Sequence, residues 1–338
     1  MPLTATPRAG HTSRPAAATV WRVDFGGVRL LADDGVEFEA TVPGRLRGAR
    51  KALGNAVVTG DRVRLDWDSD RAVVDAVEPR RNAFSRRASG EREEEQVVAA
   101  NLDGVAVVAS VRNPEFRHGL VDRVLVQCAR AGIPALVVLN KADLDASHEA
   151  DAILDEYARA GVTGLATCAV SGLGVPRVRE RCHGRRVLFV GHSGVGKSTL
   201  LAALAPGRSI AQGEVNEVTG KGRHTTSAAV LYRMGWDAGR GLAQDPPAGP
   251  GAAASATATE LVDTPGVRAF TLWGVDADEL VQYYPELKPF AGHCRFGDCR
   301  HDREPGCALR EAVAGGAIGE RRFASYCKLR DELASGHH

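Results

Sequence analysis

Residues 187–199 read Val187-Leu-Phe-Val-Gly-His-Ser-Gly-Val-Gly-Lys-Ser-Thr199. Four apolar residues run straight into a loop of spaced glycines that closes on Lys-Ser. A continuous apolar run fits a parallel strand buried on both faces. Gly191–Ser198 then satisfies the pattern G-x-x-x-x-G-K-[ST]. The glycines let backbone N–H groups turn toward phosphate, and the helix expected from Thr199 to Leu204 adds positive potential at its start. Lys197 is placed to reach the β- and γ-phosphates, and Ser198 to ligate Mg²⁺. Gly191, His192, Ser193, Gly194, Val195, Gly196, Lys197, Ser198 and Thr199 are therefore candidate nucleotide contacts. His192 is expected to line or tune the site. A Gly-rich turn arising by chance would lack the strand before and the helix after.

Outward from this loop the pattern repeats. Val105–Val111 and Ala135–Leu139 are further buried-strand runs, with helical spacing at Leu120–Ala131 and Ala150–Ala160. Alternating strands and helices predict a doubly wound α/β domain. Asp263-Thr-Pro-Gly266 follows the strand expected at Glu260–Val262. Asp263 would hold the Mg²⁺ shell through water, and the Gly266 N–H would sense the γ-phosphate. Asn140-Lys-Ala-Asp143 ends another strand. A carboxylate only accepts hydrogen bonds, so Asp143 can take guanine's N1–H and exocyclic amine but faces a lone pair on adenine. Asn140 would brace the loop and reach the base, while the stem of Lys141 covers one ring face. Cys168-Ala169 has the form of the loop that backs the base through backbone N–H, with Cys where Ser is commoner. GTP is thus favoured over ATP. Only six of the 43 Lys and Arg residues are lysine, and Lys141 and Lys197 are two of them. The two cations differ in geometry, and Lys stands where a slim stem or a compact ammonium is needed.

The chain has 338 residues, 44% hydrophobic and 25% charged, with net charge +1. It is long enough for two or three domains and is no polycation, so any nucleic-acid contact must be local. Seven cysteines and no signal peptide argue against a disulfide framework and for a reducing cytoplasm. No stretch approaches a membrane span. Residues 1–18 read as a disordered arm. Residues 19–82 hold five short strand candidates, at Val20–Phe25, Val28–Leu31, Val36–Thr41, Val63–Trp67 and Arg71–Val77. These suit a small OB-type barrel, which would suggest RNA binding; an SH3-like barrel has the same periodicity. The Arg/Glu-rich stretch from Arg80 to Glu95 reads as a solvated linker. Residues 83–285 then form the nucleotide domain, with a flexible Gly/Ala/Pro-rich insertion at 237–258 between strands at Ala228–Met234 and Glu260–Val262.

Cys294-x4-Cys299-x-His301-x5-Cys307 closes a Cys₃His set within fourteen residues. Four ligands with no open position indicate one structural Zn²⁺ in a C-terminal module at 286–335. Apolar residues are sparse there, so metal binding would supply much of the folding energy. The helix-like stretch beyond it, with Arg321, Arg322, Lys328 and Arg330, could face RNA or merely solvent.

The guanine motif precedes the phosphate loop, which reverses the usual order and makes this a circularly permuted P-loop GTPase domain. With a barrel before and a Cys/His cluster after, the chain closely resembles the RsgA (YjeQ) family of ribosome-small-subunit-dependent GTPases over about residues 19–335. Gly222-Arg-His-Thr-Thr226, Asp263-Thr-Pro-Gly-Val-Arg-Ala-Phe270 and the Cys/His spacing are the specific marks. The insertion, Ser227 in a run usually written with Thr, and the arm are departures. The resemblance implies GTP hydrolysis stimulated by the small ribosomal subunit, rRNA binding and a role in late subunit maturation. A monomer without membrane contact is expected. Val267 occupies the position where many GTPases carry a water-orienting Gln, so intrinsic hydrolysis should be slow. His224 is the candidate for orienting water, Thr226 for the switch Mg²⁺ ligand with Thr225 beside it, and Lys197 for stabilising transferred charge. Two other readings remain open on sequence: a GTP-gated RNA-binding module with incidental hydrolysis, and a P-loop ATPase or kinase. The permutation also puts the metal module only about twenty residues behind Gly266, so a switch rearrangement could re-aim it.

Overall fold

The structure, a computed structural model, describes residues 14–24, 27–46, 56–88, 94–146, 148–205, 229–235, 258–266 and 270–336. Five strands come first: β1 (Ala17–Asp24), β2 (Gly27–Leu31), β3 (Glu37–Thr41), β4 (Arg62–Asp68) and β5 (Arg71–Val77). Their pairing order is β1-β2-β3-β5-β4, and β4 returns to β1, so the sheet closes. The β3–β5 pair is parallel, which a simple meander would not produce. This closed Greek-key order is the OB type, and it removes the SH3-like alternative. Ala18, Val20, Leu30, Val63 and Val74 fill the interior. β1 starts at Ala17, inside the stretch read as an arm, because Ala17–Thr19 pair with Arg64–Arg62 of β4. Residues 1–13 lie outside the described residues.

The linker reading of Arg80–Glu95 is corrected. Ala83–Arg87 (β6) and Glu95–Ala100 (β7) form a two-stranded antiparallel sheet. Two of the arginines that suggested a linker face polar residues across it: Arg87 pairs with Glu95 in register, and Arg86 Nε donates to Gln96 Oε1 at 3.0 Å, while Arg80 and Arg81 pair with Asp61 and Asp103 at 2.7 and 2.6 Å.

β8 (Gly104–Ser110), β9 (Ala135–Asn140), β10 (Thr163–Ala166), β11 (Arg186–Gly191), β12 (Val230–Met234) and β13 (Thr259–Asp263) form the central sheet, in the order β10-β9-β8-β11-β13-β12. All neighbours are parallel except β12–β13. α1 (His118–Arg130) and α2 (Glu149–Arg159) pack on one face, α3 (Val175–Cys182) and α4 (Lys197–Leu204) on the other. Each predicted apolar run is a strand here, within one or two residues. The doubly wound class holds, and the loops of the nucleotide motifs all leave the C-terminal ends of β9, β10, β11 and β13.

Two seams join the remaining parts. β12 is the far edge of the central sheet, and it also pairs with β1 of the barrel, making one continuous eleven-stranded sheet. Glu260 on β13 accepts from Arg186 at 2.6 Å and Arg233 at 2.9 Å. Those two arginines also donate to Gly60 O at 2.7 Å and Ala32 O at 3.3 Å in the barrel. The C-terminal part, with α5 (Ala308–Ala314) and α6 (Glu320–Ala334), shares a core with α1 and α2 through Leu280, Tyr284, Leu309, Ile318 and Tyr326. At its centre Arg322 of α6, 3% exposed, donates to Glu286 at 2.7 Å and to Asp122 of α1. The rings of Tyr157 and Tyr284 lie 5.3 and 4.6 Å from its guanidinium. Arg322, expected from sequence to face RNA or solvent, is instead a buried anchor.

Candidate nucleotide site and metal centre

β11 delivers the phosphate loop, and two of its glycines are required by contact. A Cβ on Gly191 would sit 2.4 Å from Val108 O. Gly196 has φ +86°, and a Cβ there would sit 2.4 Å from Asn140 Nδ2. α4 opens at Lys197, so its first N–H groups face the loop. Lys197 is buried and donates to Asp263 Oδ1 and to Thr264 O. Burial raises the Asp263 carboxyl above the ordinary range, and the Lys197 charge opposes that. Thr264 Oγ1 donates to Phe189 O at 2.8 Å and ties the Asp-Thr-Pro-Gly turn to β11. Gly266 packs on the phosphate loop, where a Cβ would lie 3.1 Å from Ser193 Cα. Ser198 is half-buried and Thr199 exposed beside it.

Asn140 joins three motifs. It is 2% exposed. Its amide donates to Val195 O at 3.0 Å in the phosphate loop. Its Oδ1 accepts from Thr167 Oγ1 and from Ala169 N, both at 3.1 Å. Both ends of the side chain are therefore spent on bracing. Lys141 has φ +59° and donates from Nζ to Asn113 O. Asp143 is exposed on the turn Ala142–Leu144. The backbone of the facing loop is closed by Cys168 N to Leu173 O at 2.9 Å, and Cys168 itself is buried. A small buried thiol thus suffices where only backbone is used.

His192 is half-buried. Its Nε2 lies 3.2 Å from Arg117 and its Nδ1 2.7 Å from Ser193 O. A guanidinium only donates, so Nε2 accepts and Nδ1 carries the proton. Thr167, Arg117 and Asn113 were not singled out from sequence; their partners are supplied by the fold. His224, Thr225, Thr226 and Val267 lie outside the described residues, as does the insertion apart from Ala258. Burial pushes the thiols of Cys128 and Cys182 up, the latter to about 12, so neither is poised for redox chemistry.

The ligand atoms of Cys294, Cys299, His301 and Cys307 all lie within 4.8 Å of one another. Cys294 Sγ is 3.9 Å from Cys307 Sγ, and His301 Nδ1 is 3.5 and 3.4 Å from those two sulfurs. Metal–sulfur bonds of about 2.3 Å and metal–nitrogen bonds of about 2.0 Å give tetrahedral edges of roughly 3.5–3.8 Å. The four residues fit a tetrahedral metal ion. Glu304 sets the turn between them: its carboxylate accepts from the N–H groups of Arg300, Asp302 and Arg303 at 2.9, 2.9 and 3.1 Å. Backbone N–H groups, its own first, hold that carboxyl down at about 2. His301 then takes φ +60°.

Among the described residues no helix is long and apolar enough to cross a membrane. The RsgA GTPase family model matches residues 77–247. The chain is 37% identical over 313 residues to the small ribosomal subunit biogenesis GTPase RsgA of Gemmatimonas aurantiaca, covering 91% of this chain and 94% of that one. The crystal structure of YjeQ from Thermotoga maritima is similar with a TM-score of 0.70 and 26% identity, over 94% of this chain and 98% of that one. YloQ, a circularly permuted GTPase, shares the fold with a TM-score of 0.66 at 19% identity, over 98% and 99% of the two chains. With the motif order, the braced loops and these similarities together, the chain belongs to the RsgA GTPase family.

Proposed function

We propose that this chain hydrolyses GTP to GDP and phosphate under stimulation by the small ribosomal subunit, and acts in late maturation of that subunit. The observation that carries the reading is Asn140, which ties the guanine, phosphate and Cys168-Ala169 loops into one site. Loop N–H groups and Lys197 bind the phosphates, and Lys197 exchanges Asp263 for them. Asp143 accepts from guanine and rejects adenine. Ser198, Thr226 and Asp263, all hard oxygen donors, would hold Mg²⁺, which when bound neutralises charge between the β- and γ-phosphates. His224 orients water in place of the Gln that Val267 replaces; full stimulated turnover by His224→Ala would remove it from that role. Cys294, Cys299, His301 and Cys307 hold a structural Zn²⁺. The domains divide as 17–82, 83–285 and 286–335, and the protein works as a cytoplasmic monomer that contacts rRNA.

Co-sedimentation with purified small subunits tests this. The chain should pellet with them when loaded with a non-hydrolysable GTP analogue and be left in solution with the ATP analogue. Equal pelleting with both would contradict guanine-dependent recruitment.

A further inference from the structure

Positive charge is concentrated on α3 and the turn behind it. Arg177–Arg186 holds five arginines and one acid, Glu180, in ten residues, while the whole chain balances 43 Lys and Arg against 42 Asp and Glu. The fold occupies two of the five. Arg179 donates to the last carbonyls of α4, Ala203 O and Leu204 O, at 3.3 and 3.4 Å. Arg186 pairs with Glu260 at 2.6 Å. The other three, Arg177, Arg181 and Arg185, are exposed and have no hydrogen-bond or ion-pair partner among the described residues. The register of α3 sets this division. Val175, Val178 and Cys182 are buried in the core beneath the helix. Arg177 and Arg181, four residues apart, therefore share an outward face, about 6 Å apart along the axis. Arg185 continues past the helix end on a turn closed by its N–H to Cys182 O at 3.0 Å. This placement does not serve α3. Arg177 stands in the first turn, where the helix dipole disfavours a cation. Like charges four residues apart repel, so the face gains when an anion arrives.

We propose that Arg177, Arg181 and Arg185 form a docking face for the phosphate backbone of RNA, on the side of the central sheet away from α1, α2 and the metal centre. The proposal rests on the rRNA contact in the reading above and names a surface for it. Guanidinium forks match phosphate oxygens, and steps of one helical turn suit successive phosphates along a strand. The other exposed side chains of α3 are Pro176 and Glu180. Its outward face thus carries no aromatic ring to stack on a base and no large apolar side chain to enter a lipid interface. Contact with the backbone alone reads no sequence. This face therefore orients the nucleotide domain on its partner and supplies salt-sensitive affinity. A chain of net charge +1 has to place such a contact in a local patch.

Anisotropy of a labelled mixed-sequence RNA duplex, titrated with the full chain at several KCl concentrations, tests it, with co-sedimentation of purified small subunits beside it. The triple variant Arg177→Gln, Arg181→Gln, Arg185→Gln should weaken RNA binding about tenfold or more at low salt. It should also reduce the slope of log affinity against log salt by about 2–3. Lysine at the same three positions should keep the slope, because counterion release follows charge. GDP affinity and the unfolding curve should stay unchanged, since all three side chains are exposed and stand outside the nucleotide loops. A wild-type slope and affinity in the glutamine variant would overturn the proposal. So would arginine-dependent binding that favours phosphatidylserine vesicles over RNA. Small subunits that fail to pellet the wild-type chain, while RNA binding still depends on the three arginines, would overturn the ribosome reading and leave this surface standing.

Discussion

The nucleotide site and the metal centre are built in opposite ways. The nucleotide site draws on loops from the ends of four strands, and side chains such as Asn140 and Thr264 lock those loops to buried backbone. The metal centre takes four ligands from fourteen consecutive residues, set on turns where Cys307 alone is buried among the ligands. One site is braced by hydrogen bonds within the fold; the other has few apolar residues of its own and would draw much of its stability from a metal. The two should therefore fail independently. Losing the metal should loosen 292–307 while the phosphate loop stands, and loosening the phosphate loop should leave the metal in place.

The largest effect expected is from metal removal. Structural metal sites of this kind contribute about 10 kcal/mol to local folding. Chelation should abolish hydrogen-exchange protection across 292–307 and leave GDP affinity within about twofold of its starting value. Loss of GDP affinity in step would break the comparison. Next is Arg322→Met, which leaves Asp122 and Glu286 buried without their cation. It should lower unfolding free energy by about 3–5 kcal/mol in denaturant titration. This change strikes the joint between the two sites, so metal content and GDP affinity should both survive at low denaturant. Asn140→Ala removes the brace. It should cost about 1–3 kcal/mol of stability and weaken GDP roughly tenfold to a hundredfold in equilibrium binding, with the metal still bound one per chain. The smallest effect lies in the barrel, remote from either site. The Arg62 guanidinium hydrogen-bonds Asp33 and holds its carboxyl below the ordinary value. A depressed carboxylate stabilises the fold above its unfolded value, near 3.8, and that contribution vanishes as pH falls through the folded value. Asp33 is largely exposed, so Asp33→Asn should cost under about 1 kcal/mol at pH 7 and nothing at the acid end.

The parts readable from sequence are those whose residues are contiguous. Gly191–Ser198 and Cys294–Cys307 carry their chemistry in fixed spacing, and the apolar runs from Val105 to Val190 announced the parallel sheet. What escaped depends on partners far along the chain. Thr167 matters through Asn140, and Arg322 through Asp122, two hundred positions away. Arg86 and Arg87 looked like a solvated linker because the residues that face them across the hairpin, Gln96 and Glu95, are equally polar. Periodicity registers burial, and a two-stranded ribbon with one charged flank has too little of it to register. The OB order likewise rests on the β3–β5 pairing, which no local pattern encodes.

The measurement that bears most directly on the account is multiple-turnover GTP hydrolysis with and without purified small ribosomal subunits. The account predicts slow turnover alone, a rise of about tenfold or more with small subunits, and no comparable rise with large subunits or with ATP as substrate. Turnover that small subunits leave unchanged, or that proceeds equally with ATP, would contradict it.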